Sequence, residues 1–102
     1  MNTEIPTKRR PSGPGYHLRE AIEDRGLTQQ QFADALGIQR HRLNEILNGH
    51  RSVTTDTALR LARVLGTSAE LWLNLQRQVD LYDALHGPGA KAISKLKPLA
   101  HA

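Results

Sequence analysis

Between Thr28 and Gly49 the chain carries two amphipathic segments on either side of one glycine, Gly37. The first opens with Thr28 and has Gln31 three residues later, the spacing at which a hydroxyl and an amide cap each other's backbone at a helix start. Phe32, Ala33 and Leu36 then fall on one helical face. In the second segment Leu43, Ile46 and Leu47 share a face by the same spacing rule, i, i+3, i+4. The small side chain of Ala33, four residues before Gly37, lets the second helix cross close to the first. Glycine at 37 permits the positive φ that a sharp turn between helices demands. Together these features predict a helix-turn-helix, whose second helix enters a DNA major groove.

The rest of the chain reads as helices supporting this unit. Pro14-Gly15 opens a first helix to about Arg25, with Leu18, Ala21 and Ile22 inward and Gly26 as its stop. Leu27 and Val53 are expected to plug the core from loops. Thr54 or Thr55 caps a fourth helix through Leu65, whose apolar stripe is Ala58, Leu61, Ala62 and Leu65, with Arg60 and Arg63 off it. Thr67 to Glu70 is a second capping box, opening a fifth helix to about Leu85. There Trp72, Leu75, Val79 and Tyr82 line one face, and Leu71, Leu73 and Leu81 lie partly off it. That is more apolar surface than one small core covers, so this helix either folds back on the bundle or meets another subunit. The expected architecture is therefore all-α: a flexible basic arm over residues 1–13, a five-helix domain over 14–85, and an irregular tail over 86–102 that begins at His86-Gly-Pro-Gly89. Lys8, Arg9 and Arg10 make the arm a charge run, read as a solvated terminus or as an arm that lies on the phosphate backbone or in the minor groove.

Composition agrees with packed helices. Hydrophobic residues are 38% of 102, with one Trp, two Tyr and one Phe, and no run alternates as a strand would. Cysteine is absent, which excludes disulfides and thiolate metal sites. The net charge of +4 suits a polyanionic partner without establishing one. No apolar leader or membrane-length stretch is present, so a soluble, cytoplasmic protein with no membrane partner is expected. The five histidines show no metal spacing, and neither a Gly-rich phosphate loop nor a nucleophile elbow occurs. Glu20, Glu23 and Asp24 read as a solvated helix face. No enzymatic activity, cofactor or metal is expected.

The candidate chemistry lies on the face of the second segment opposite its packed residues. Arg40 at the helix start can pair bidentately with guanine; His41 can reach guanine or a phosphate; Asn44 can serve adenine; and Glu45 can accept from cytosine N4. Gln29 sits at the preceding helix N-terminus, where free backbone N–H groups favour a phosphate. Asn48, Arg42 and Arg51 are placed for backbone contacts that fix register. Gln39 occupies the start of the third helix, where Ser, Thr, Asn or Asp caps better.

These residues resemble the HigA family of antitoxins, a subgroup of phage-repressor-like helix-turn-helix proteins. The resemblance runs over about residues 10 to 85. It is sharpest at Thr57-Ala-Leu-Arg-Leu-Ala62, Leu65-Gly-Thr-Ser68 and Glu70-Leu-Trp-Leu-Asn-Leu-Gln76, and its specific parts are Leu43-Asn-Glu-Ile-Leu-Asn-Gly49 and Trp72-Leu-Asn-Leu-Gln76. Two departures stand out. Gly13-Pro-Gly-Tyr-His-Leu18 replaces the family's His-Pro-Gly-Glu-Ile-Leu, and Gln39 replaces a serine. The second places operator preference at Gln39 to His41. The resemblance implies a dimeric protein that neutralises a HigB-type toxin, a ribosome-dependent mRNA endonuclease. It also implies repression of the operon encoding both proteins, through double-stranded operator DNA. The alternative is a stand-alone repressor without a toxin.

Overall fold

The computed structural model describes residues 9–100. Among them are six helices and no strand: α1 (Pro14–Asp24), α2 (Gln29–Leu36), α3 (Arg40–Leu47), α4 (Thr55–Leu65), α5 (Ala69–Leu85) and α6 (Ala90–Ser94). The all-α architecture with a five-helix core is as expected from the sequence. None of the described helices is long and apolar enough to cross a membrane.

The capping pattern of α2 forms as its spacing requires. Thr28 Oγ1 accepts from the Gln31 N–H at 3.0 Å, and Gln31 Oε1 accepts from the Thr28 N–H at 2.8 Å. Such a cap contributes about 1 kcal/mol. Gly37 closes α2 at φ 71°, turning the chain so that Ile38 N–H reaches back to the Ala33 carbonyl at 3.1 Å. Thr54 Oγ1 accepts from the Thr57 N–H at 3.3 Å and Ser68 Oγ from the Leu71 N–H at 3.1 Å, capping α4 and α5. The cap of α5 is thus Ser68 and not the expected Thr67–Glu70 box, because the Thr67 hydroxyl accepts from the Trp72 indole instead.

One core collects Leu18, Ile22, Phe32, Ala33, Leu36, Leu43, Ile46, Leu47, Val53, Ala58, Leu61 and Trp72. Thus α1 packs on α3 and α5, α2 on α3 and α4, and α4 most extensively on α5. The closest approach is at Gly15. A Cβ there would stand 2.5 Å from the Leu47 carbonyl oxygen and 2.9 Å from that of Ile46. The start of α1 is therefore seated directly on the last turn of the recognition segment.

Helix α5 sorts its surplus leucines differently from the expectation. Leu73, next to the buried Trp72, is partly buried against the core. Leu71, Leu81 and Leu85 stay exposed. Trp72 donates from Nε1 to Thr67 Oγ1 at 2.8 Å, and Gln76 Oε1 accepts from the Val53 N–H at 2.8 Å, tying α5 to the loop after α3.

Both ends correct the simple terminal readings. Arg10 makes a two-pronged pair with Asp83 of α5, Nε to Oδ1 and Nη2 to Oδ2, each at 2.8 Å. The end of the expected arm is thus fastened to the bundle, because a guanidinium matches a carboxylate in a fixed fork. The hydrogen bond from Arg10 holds the Asp83 carboxyl below the usual range. The reading of residues 1–8 as a basic arm lies outside the described residues. In the tail, Ala90–Ser94 form a short helix where irregular chain was expected, since the breaks at Gly87, Pro88 and Gly89 end before it. Its Ile93, and Leu96 and Leu99 beyond, remain exposed.

Candidate nucleic-acid interface

Helix α3 buries Leu43, Ile46 and Leu47 and turns Arg40, His41, Asn44 and Asn48 outward. Arg40, His41 and Asn44 line one shallow surface depression. Among the described residues Arg40 makes no ion pair. Its five guanidinium donors are available at the exposed start of the helix. Gln39 precedes it with φ −72°, ψ 145° and no side-chain cap, so the first N–H groups of α3 lack a side-chain partner at the N-cap. An exposed helix start carrying a free arginine is the part of this surface best fitted to enter a groove.

Behind that tip runs a polar row. Arg19 of α1 donates from Nη2 to Asn48 Oδ1, Asn48 Nδ2 donates to Asn44 Oδ1 at 3.1 Å, and Asn44 Nδ2 donates to Gln29 Oε1 at 3.3 Å. Each amide is oriented by the one before it, starting from a guanidinium that can only donate. The row spans α1, α3 and α2 and brings Gln29, Asn44 and Asn48 together as one surface. Arg19 is not among the site residues that the sequence suggests. Its spacing on α1 shows only that it leaves the core, not that it reaches the end of α3.

Glu45 and Arg51 pair with each other. Arg51 Nε and Nη2 each lie 2.8 Å from Glu45 Oε1, and His41 Nε2 lies 3.3 Å from Oε2. The hydrogen bond from Arg51 holds the Glu45 carboxyl below the usual range. The positive charge of Arg51 is thus largely neutralised where it stands.

Arg42 is the sequence-chosen residue that the structure places elsewhere. Its Nη2 donates to Thr57 Oγ1 at 2.7 Å and lies 3.6 Å from Asp56 Oδ2 at the start of α4. The position follows from helix geometry: residue 42 precedes Leu43 and Ile46 on the flank facing α4, not on the outer face. Missed altogether was Arg60. It donates through Nη1 to the carbonyls of Leu36 at 2.9 Å and Gly37 at 3.3 Å, covering the last carbonyls of α2. The visible signal was Asp56 four residues before it, where an ion pair forms at 2.9 Å.

A two-helix unit of this geometry, with an exposed basic tip on its second helix, defines a helix-turn-helix protein. The helix-turn-helix family model matches residues 18–72. Antitoxin HigA-1 of Vibrio cholerae is 41% identical over 78 residues, covering 76% of this chain and 73% of that protein. The structure of a HigA-family addiction module antidote protein from Coxiella burnetii superposes with TM-score 0.81 at 42% identity, covering 89% of this chain and all (100%) of the other. Antitoxin HigA of Pseudomonas aeruginosa, solved with the higBA promoter, gives TM-score 0.81 at 33% identity, with 89% and 100% covered. The chain belongs to the HigA family of helix-turn-helix antitoxins.

Proposed function

We propose that this protein neutralises a HigB-type toxin and, as a homodimer, binds operator DNA through α2 and α3 to repress its own operon. The observation that carries the DNA half is Arg40 at the exposed start of α3, which makes no ion pair among the described residues and stands beside the Gln29–Asn44–Asn48 row. Gln39, Arg40, His41 and Asn44 face bases in this reading, and Gln29, Asn48 and Arg51 face the phosphate backbone. Support comes from the Pseudomonas relative solved with its promoter. Homodimerisation would place two α3 helices about one helical turn apart on a pseudo-palindrome. The exposed Leu71, Leu81 and Leu85 on α5 supply an apolar face for that contact.

The toxin half rests on family membership. Co-expression with the product of the adjacent toxin-like gene tests it. Relief of growth arrest and co-purification of both proteins is the expected result. No interaction at micromolar concentration, with operator binding intact, would leave a stand-alone repressor.

A further inference from the structure

We propose that Asp56 is a positioning residue for the recognition helix, coupling it through two arginines to the turn that precedes it. The proposal rests on α3 being the DNA reader. Asp56 Oδ2 lies 2.9 Å from Arg60 Nε and 3.6 Å from Arg42 Nη2. Arg42 belongs to α3 itself. Arg60 holds the Leu36 and Gly37 carbonyls, the closing turn of α2. One carboxylate oxygen on α4 thus faces two guanidiniums, one from the reading helix and one from α4 itself that reaches the helix-turn junction.

Helix α3 needs such a lateral hold. It is 8 residues long and has no side-chain cap. Leu43, Ile46 and Leu47 fix how deep it sits, but apolar contact is non-directional and resists rolling about the helix axis weakly. Rolling would swing Arg40, His41 and Asn44 together across the groove. The Arg42 side chain opposes that motion, gripped by the buried Thr57 and by Asp56. Among the described residues Arg42 Nε is buried and finds no hydrogen-bond partner, and the Asp56 carboxylate near the same guanidinium offsets part of what it loses in water. Removing the carboxylate leaves two like charges on either side of a neutral group and loosens both arms.

The test uses the full chain, a duplex enriched from a randomised pool by the wild-type protein, and a scrambled duplex of equal composition. Asp56→Asn should lower the ratio of enriched to scrambled affinity about tenfold, within the range of one lost base contact. Scrambled affinity should hold or rise, because a negative charge has gone. Asp56→Glu should restore most of the ratio, and Arg60→Gln added to Asp56→Asn should lower it little further. Equal falls in both affinities, matching loss of folded protein in thermal melts, would make Asp56 only a stabilising residue and overturn the proposal. An unchanged ratio would overturn it too. Failure of the wild-type protein to enrich any duplex is seen before a variant is made, and sinks the DNA-binding reading with the proposal.

Discussion

Glu45 and Arg51 face each other across the end of α3, with both Nε and Nη2 of the arginine 2.8 Å from one carboxylate oxygen. A base-reading acid and a phosphate-gripping base, as the sequence suggests, are here one neutral pair. Glu45→Gln should therefore release a cation toward the duplex. Affinity for any sequence should rise, and the salt slope should steepen by about one unit. Fluorescence anisotropy across a potassium chloride series measures both, and an unaltered slope would mean Arg51 lies away from the phosphates.

The same pair sets a pH dependence. Arg51 lowers the folded-state pKa of Glu45. The pair's contribution to stability is present above the unfolded pKa and is lost as pH falls through the lower folded one. Affinity for scrambled duplex should be insensitive to this group near neutral pH and rise only below the usual carboxylate range. In Glu45→Gln that acid rise should be missing. Its persistence there would assign the change to another group.

Arg42→Ala should act on stability rather than on charge contact with DNA. The loss of its hydrogen bond to the buried Thr57 should cost about 1–3 kcal/mol in denaturant unfolding. The salt slope should stay within experimental error of wild type. A slope smaller by about one unit would restore Arg42 as a phosphate contact.

Gly15→Ala tests the seat of α1 on α3. The added methyl would lie 2.5 Å from the Leu47 carbonyl, so the helices must part. A destabilisation of about 1–3 kcal/mol is expected. Thermal melts at neutral pH read it, and an unchanged midpoint would show that α1 shifts freely.

Leu81→Glu places a charge on the exposed side of α5, where the leucine is 42% accessible. Light scattering should then report monomers in place of dimers, with helical content unchanged. Dimers that persist would move the interface to another surface.

Much of this fold is written in local pattern. Thr28 with Gln31, Gly37, and the stripes of α1 to α4 locate the helices because capping and periodicity act within a few residues. The same is true of the outward set Arg40, His41 and Asn44, which follows from knowing the buried face. What the pattern does not carry is where long side chains land. Arg19, Arg42 and Arg60 look alike as solvated cations, yet each reaches a partner 15 to 29 residues away. Their destinations depend on how helices cross. Helix α5 shows the same limit: Gln76 meets the Val53 N–H 23 residues away, and Leu73 is partly buried against the core while Leu81 stays exposed.

The most direct test of α3 as the reader is base preference, measured for wild type and Arg40→Ala on every single-base variant of the enriched duplex. Arg40→Ala should lose about 1–3 kcal/mol of discrimination at one base pair per half-site and keep the wild-type preferences elsewhere. Unchanged preferences at every position, or an equal loss across all sequences, would contradict it.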